Sequence, residues 1–304
     1  MNLYAPSYYK RFKCIADRCK NSCCIDWEID VDEKTYEKYL SVGGYLKENI
    51  AESDGCRYFE LKNGRCPHLL ENGLCRIIID YGEDYIADIC RDHPRFYNCI
   101  SERREVGLGL VCEEAARIII GDDELFSLEK IGECDDEPID CDFDALPERD
   151  NIISLILESD KTLPVKIKML ENKYSINVNI HSMNEWLGIL TELEILDKKW
   201  EEILNSATVS ERKHDCCELY PNLERILVYF VYRHVSASSS YLNLRAKLGF
   251  SILSVKILVY LIERAQECNV ENLIGLARIY SSEIEYSEEN TDALIYEFES
   301  ELAE

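Results

Sequence analysis

The chain has 304 residues, 15 of them cysteine, and a formal net charge of −25 at neutral pH. That length allows a sizeable core and suggests two domains rather than one. The charge excludes nucleic acid as an expected partner, because gripping phosphates takes clustered Lys and Arg that release counterions; it favours solubility and steers cationic partners such as lysine-bearing protein surfaces.

The first ten residues, Met1 to Lys10, show no apolar h-region and no small-residue cleavage site of the kind a signal peptide carries. The expected compartment is therefore the cytoplasm, where thiols stay reduced and clustered thiols are more often metal ligands than disulfides. Ten cysteines lie at or before Cys112 and five after it. The expected fold class is mainly α: a loop-rich cysteine-cluster N-terminal domain over 1–120, an acidic linker over 121–150, and a C-terminal helical bundle over 151–304. In the N-terminal domain a helix is predicted from Glu33 to about Asn49. Asp32 is its N-cap, Tyr36, Tyr39 and Leu40 share a face, and Gly43-Gly44 breaks or bends it. Ser53 to Cys75, with Gly55, Gly64, Pro67 and Gly73, reads as turns holding ligands. A second helix is predicted to start at Glu113 and run through Ile120, its acidic first turn suiting the helix dipole.

Between Gly121 and Asp150, thirteen acidic residues face only Lys130 and Arg149, a net −11 of the −25. Such a stretch reads as an exposed linker or wrapping loop. After Asn151 apolar residues recur at helical spacing. Helices are expected over Asn184–Ser206, from Pro221 through Val231, from Tyr241 to Cys268, over Val270–Glu285 and over Glu288–Leu302, packed as an antiparallel bundle. No internal repeat and no alternating strand–helix pattern is visible, so a doubly wound nucleotide-binding fold is not expected. The most apolar stretch, Leu248 to Ile262, is interrupted by Lys256 and falls short of the roughly 20 apolar residues of a membrane-spanning helix. It reads as a buried helix, and no membrane partner is expected.

Chemistry concentrates in Cys14-x4-Cys19-x3-Cys23-Cys24, followed by Cys66, Cys75, Cys90 and Cys112, with Cys56 and Cys99 between them. A thiolate centre needs several sulfurs from one loop and a few distant ones to close the shell, and this spacing supplies both. The eight candidates make either two four-cysteine sites or one cluster with spare structural thiols. A single cysteine is most simply a small buried hydrophobe, but four within eleven residues are poorly explained that way. Zinc favours pairs two to four residues apart, and adjacent cysteines cannot easily share one tetrahedral ion. Cys23-Cys24 therefore suits an iron–sulfur cluster, or two different sites, better than a single zinc, with zinc as the alternative. Arg91 and Arg95, flanking Asp92, His93 and Pro94, are candidates to bind an anionic cofactor or to hydrogen-bond cluster sulfurs. His214-Asp215-Cys216-Cys217 reads as incidental. Gly107-Leu108-Gly109 lacks the third glycine and the flanking strand of a dinucleotide loop. No Ser–His–Asp or HExxH pattern appears, and no catalytic residue can be named.

Several linked motifs resemble the flagellin lysine N-methylase family, which belongs to a wider group with a zinc- or iron-chelating cysteine cluster. They are Phe12-Lys13-Cys14, Cys19, Ser22-Cys23-Cys24 with Trp27, Asp32 and the helix reaching Tyr39, Cys66-Pro67-His68-Leu69, Gly73-Leu74-Cys75-Arg76-Ile77, Cys90-x3-Pro94-Arg95, and Leu110-Val111-Cys112-Glu113-Glu114-Ala115-Ala116-Arg117. The resemblance covers residues 8–120. A tryptophan-bearing helix ending near Trp200, and Leu223–Val235 with Tyr229 and Arg233, are similar more weakly. It implies methyl transfer to lysine side chains of flagellin, or of another lysine-bearing protein, before export from the cytoplasm. S-adenosylmethionine would be the donor, and a 4Fe–4S cluster would be bound by the cysteines. Glu113 stands where the family pattern has proline, Cys56 and Cys99 lie outside it, and the chain is short for the family. The Cys14-x4-Cys19-x3-Cys23 spacing is not the Cx3Cx2C triad of radical S-adenosylmethionine enzymes, so radical chemistry is not expected. The alternative is a non-enzymatic iron–sulfur or zinc scaffold, or a redox-sensing module.

Overall fold

A computed structural model of the chain describes residues 1–121, 123–158 and 160–303. Asp122, Ser159 and Glu304 lie outside the described residues, the first of them inside the expected acidic linker. In chain order the elements are β1 (Asn2–Pro6), α1 (Glu33–Val42), β2 (Ile50–Ser53), β3 (Cys56–Phe59), α2 (Arg76–Tyr81), α3 (Asp88–Asp92), β4 (Arg95–Ile100), β5 (Arg103–Leu108), α4 (Glu113–Gly121) and β6 (Leu128–Glu133). Eight helices follow: α5 (Leu146–Leu157), α6 (Leu163–Tyr174), α7 (Met183–Glu192), α8 (Lys198–Val209), α9 (Tyr220–His234), α10 (Tyr241–Ile262), α11 (Val270–Tyr280) and α12 (Glu288–Ala303). The protein is mainly α, 54% helical with twelve α-helices among the described residues. None of those helices is long and apolar enough to cross a membrane.

The described residues fall into two compact units. One comprises Lys13–Arg95 with Cys112–Glu114; the other comprises Met1–Phe12, Phe96–Val111 and Ala115–Glu304. The division differs from breaks at 120 and 150, because β1, most of β4 and β5 belong with the helices.

In the first unit Asp32 caps α1 as expected, its Oδ1 accepting from the Thr35 amide at 2.9 Å. Its Oδ2 accepts from the Asp88 amide at 2.9 Å, which ties the start of α3 to the start of α1. Gly43, at φ 73°, ends the helix. Tyr39 is buried and donates its hydroxyl to the Tyr85 carbonyl, but Leu40 is 52% exposed rather than on the buried face. The stretch read as turns alone contains a hairpin: Ile50, Ala51, Glu52 and Ser53 pair antiparallel with Phe59, Tyr58, Arg57 and Cys56. The core of this unit is Ile29, Val31, Tyr39, Leu46, Phe59, Cys66 and Ile77.

In the second unit a four-stranded sheet runs β4-β5-β1-β6, with β1 parallel to β5 and antiparallel to β6. The sequence pattern predicts no such sheet, and β6 lies inside the supposed linker. Arg103 and Arg104 of β5 lay their guanidinium groups over the rings of Tyr4 and Tyr97, adding cation–aromatic contacts to buried Ala5, Ile100, Val106 and Leu108. The single helix expected over Asn184–Ser206 is two, α7 and α8, separated where Asp197 caps α8 by accepting from the Lys199 amide at 2.8 Å. Pro221 sits in the first turn of α9, as expected. Helix α10 is buried on nearly every side, the mark of a central helix. At Gly249 a Cβ would stand 2.7 Å from the Phe298 ring of α12, so only glycine allows this crossing.

Two polar networks lie inside this unit. Arg149 of α5 is fully buried and donates to both Glu105 oxygens, at 2.7 and 3.1 Å, and to the Ser236 hydroxyl at 2.7 Å. In the other, Glu285 accepts from the Tyr229 hydroxyl at 3.0 Å and from His234 at 2.8 Å, with Arg233 3.3 Å away. Burial, opposed by Glu285 and reinforced by Arg233 and Lys247, holds the His234 imidazole below its ordinary value. Such a group stays neutral in the folded chain while the unfolded chain takes up its proton, so acid removes stability. Glu285, held below the usual carboxylate range against its own burial by Arg233 and His234, adds a loss only in stronger acid. The urea midpoint should therefore fall below about pH 6.5. His234→Gln should flatten that upper part of the decline, and an unchanged slope in the variant would count against this assignment.

Candidate metal centre

All eight cysteines singled out by spacing belong to the first unit. Cys24 and Cys66 are joined through the backbone, the Cys66 amide donating to the Cys24 carbonyl at 2.9 Å. Two residues on, the Asp26 amide donates to the Gly64 carbonyl at 2.6 Å. Gly64 has φ 72°, and a Cβ there would collide with the Asp26 carboxylate. Cys75 stands at the N-cap of α2, and the Leu69–Cys75 bridge folds its loop back on the segment after Cys66. Cys90 lies within α3, the helix tied to α1 by Asp32. Cys66 is part of the apolar core, with Cys24 and Cys75 packed against it.

Several of the thiols raise one another's pKa. Cys66 is pushed up to about 12, by burial first and then by Cys24 and Cys75, against its hydrogen bond to the His68 amide. Cys75 is raised by burial, then by Cys24 and Cys14. Cys90 is raised by desolvation, then by Cys24, Cys66 and Cys75, while Arg91 lowers it. Because Cys90 is exposed as a residue, its thiol neighbours say more about its place than its desolvation does. Cys19 is raised to about 11, by burial first and then by Glu113, Cys112 and Cys14, against its hydrogen bond to the Asn21 amide. Cys14 acts on both Cys75 and Cys19, and Cys23 and Cys24 are joined directly. The Cys23 thiol, raised by its hydrogen bond to Cys24 and by burial, stabilises the Cys24 sulfur as thiolate. That bond draws Cys24 down to about 7 against its burial, with Ser22 and Arg65 helping.

The donor set is soft and rich in sulfur, as a thiolate-bound metal or iron–sulfur group requires. Among the described residues, however, no three His, Cys, Asp or Glu side chains stand close enough together to hold a metal ion. The residue types fit such a group in kind.

Arg91 pairs with Asp88 and donates to the Ile86 carbonyl at 3.0 Å, and Arg95 donates to the Arg91 carbonyl at 2.8 Å. Cys56 opens β3 as an exposed residue, and Cys99 belongs to the other unit. Spacing does not reveal the role of Glu113. Its carboxylate accepts from the Lys20 and Asn21 amides at 2.9 and 3.2 Å and from the Asn21 side chain at 3.0 Å, with Cys19 Sγ 3.8 Å away. It thus pins the loop that carries Cys19 and Cys23. The only sequence signal for it is adjacency to Cys112. Nor does the sequence mark His68 and His93 as perturbed groups. Both are driven down to about 4 and kept neutral, His68 by burial, Arg76 and Lys62, and His93 by burial and Arg95.

No protein-family profile matches the chain, and no solved structure matches it. Curated relatives do. Lysine-N-methylase of Salmonella typhimurium is 28% identical over 134 residues, covering 40% of this chain and 33% of that protein. Lysine-N-methylase of Salmonella choleraesuis is 27% identical over the same shares. The flagellar biosynthetic protein FliU of Salmonella muenchen is 27% identical over 40% of this chain and 79% of its own length. The match therefore spans about a third of the two lysine-N-methylases. Over that stretch, the chain is similar in sequence to proteins named Lysine-N-methylase and FliU.

Proposed function

We propose that this chain is a protein-lysine N-methyltransferase acting on flagellin in the cytoplasm, with S-adenosylmethionine as methyl donor and a cysteine-held 4Fe–4S cluster. The similarity to proteins named Lysine-N-methylase carries the reading, and FliU points towards the flagellum. The gathering of eight thiols in one unit supports the cluster.

S-adenosylmethionine supplies an electrophilic methyl group when bound. The chain's own task is to hold an uncharged lysine amine in line with that methyl, and positioning of this kind supplies much of the acceleration. A net charge of −25 raises the local concentration of a cationic substrate before its proton is lost. The thiols of Cys24, Cys66, Cys75 and Cys90, with Cys14, Cys19, Cys23 and Cys112 beside them, are the candidate cluster ligands.

Purified protein incubated with flagellin and methyl-labelled S-adenosylmethionine should transfer label to flagellin lysines. Label no higher than in a boiled control removes the enzyme. One observation favours a second reading, a non-enzymatic iron–sulfur or zinc scaffold: the match reaches only a third of each lysine-N-methylase, while the thiol unit is whole within this chain. Saturable calorimetric binding of S-adenosylmethionine would exclude that reading.

A further inference from the structure

In the second unit a cleft of about 140 Å³ opens between the end of α4, the start of α9 and the segment before β6. Its walls include the rings of Tyr8, Phe126 and Tyr229, and its lining carries the carboxylates of Asp123, Glu124 and Glu224 against one guanidinium, Arg225. The Tyr229 hydroxyl already donates to Glu285 and accepts from Arg233 at 2.9 Å and from the Leu110 amide at 3.2 Å. Tyr229 therefore offers the cleft only its ring. Tyr8 and Phe126 stand 6.4 Å apart, tilted at 56°, and Phe126 rests on Tyr232 at 5.4 Å. Glu224 is held by Lys166 at 2.8 Å, and Asp123, 3.8 Å from Arg225, is fully exposed to solvent.

Size decides what such a cleft can take. Sites for drug-sized molecules run to roughly 300–1,000 Å³, so a whole nucleoside-bearing methyl donor does not fit. A single unbranched side chain does. Aromatic faces attract an alkylammonium through their negative quadrupole and pack its methylenes at the same time. With Lys166 counted beside Arg225, three carboxylates face two cations, and the remaining negative charge favours a cation over a neutral or anionic chain. We infer that this cleft receives the lysine side chain of the protein substrate. The inference rests on the methyltransferase reading for its occupant, and on the cleft alone for its chemistry.

The test uses the full chain and two immobilised flagellin peptides that differ only in carrying lysine or norleucine at one position. Norleucine keeps the methylenes and lacks the ammonium group. The chain should hold the lysine peptide about tenfold more tightly or better, 1.4 kcal/mol in free energy, and the preference should shrink as salt rises. Asp123→Asn with Glu124→Gln, both on exposed residues, should lower the preference, and Phe126→Leu should weaken the lysine peptide most. Binding of S-adenosylmethionine should be unaltered in every variant. Equal binding of the two peptides, variants indistinguishable from the parent chain, or loss of S-adenosylmethionine binding instead would each overturn the inference. Lysine preference without methyl transfer would defeat the enzyme reading alone. Methyl transfer without lysine preference would defeat the cleft alone.

Discussion

Anaerobically purified protein is expected to contain iron and sulfide, and stripping them with a chelator should lower its melting temperature by about 10 °C. Cys66 sits in the apolar core with Cys24 and Cys75 against it, and burial by itself makes Cys66 and Cys75 poorer thiolates. If the thiols are ligands, their thiolates would be stabilised by a cation sharing their charge, and metal binding and folding would then be one equilibrium. Occupancy at a thousand times the dissociation constant contributes roughly 4 kcal/mol. At about 2–4 °C per kcal/mol, that gives the expected shift. Cys66→Ser or Cys90→Ser should abolish both the iron and the shift. Cys56→Ser, on an exposed hairpin residue, should leave them in place. A stripped protein that melts with the loaded one would remove the centre, and zinc without iron would make it a zinc site.

Arg149→Ala should cost about 3–5 kcal/mol of stability, read as a fall in the urea midpoint at constant slope. Arg149 and Glu105 are both fully buried and joined by two hydrogen bonds, and the guanidinium also engages Ser236. Removing the guanidinium leaves a carboxylate without solvent, with Arg103, 2.7 Å from its Oε1, to answer it. The pair need not be strongly stabilising for its disruption to be severe, because the penalty falls on the partner left behind. Arg149→Met combined with Glu105→Leu should therefore recover most of what Arg149→Ala loses. A double variant as unstable as the single one would show that packing around Arg149, rather than its charge, is what matters.

Helices with a long apolar repeat are readable from sequence, as α9, α10 and α12 show, because side-chain periodicity is a local property. Their ends are less so: Asp197 is a good N-cap residue, yet the leucines on either side of it suggest one continuous helix. The β2–β3 hairpin does leave a local sign, which the abundance of turn residues between Ser53 and Cys75 obscures. Asp54 and Gly55 both adopt positive φ, at 52° and 81°, and Asp-Gly between two short runs is the strongest local hairpin sign. The sheet around β1 is a different matter. Leu3 pairs with Arg104 on one side and Gly132 on the other, and pairing across a hundred residues leaves no mark in either segment's own pattern. The thiols are legible as a group by spacing and abundance. Which of them neighbour one another is not, since that depends on the Cys66–Cys24 backbone link and on the docking of α3 by Asp32.

The segment Asn2–Pro6 finds its partners only at residues 103–108 and 128–133, and the thiol-bearing unit regains chain at Cys112–Glu114 after leaving it at Arg95. During synthesis neither can be completed until well over a hundred residues have left the ribosome. A nascent chain halted at residue 100 would display its first strand and most of its sulfurs together, with Cys112 and Glu113 still to come. Timing, as much as chemistry, then decides when this unit can close, and a fragment cut at residue 111 should lose the clamp on the Cys19–Cys23 loop.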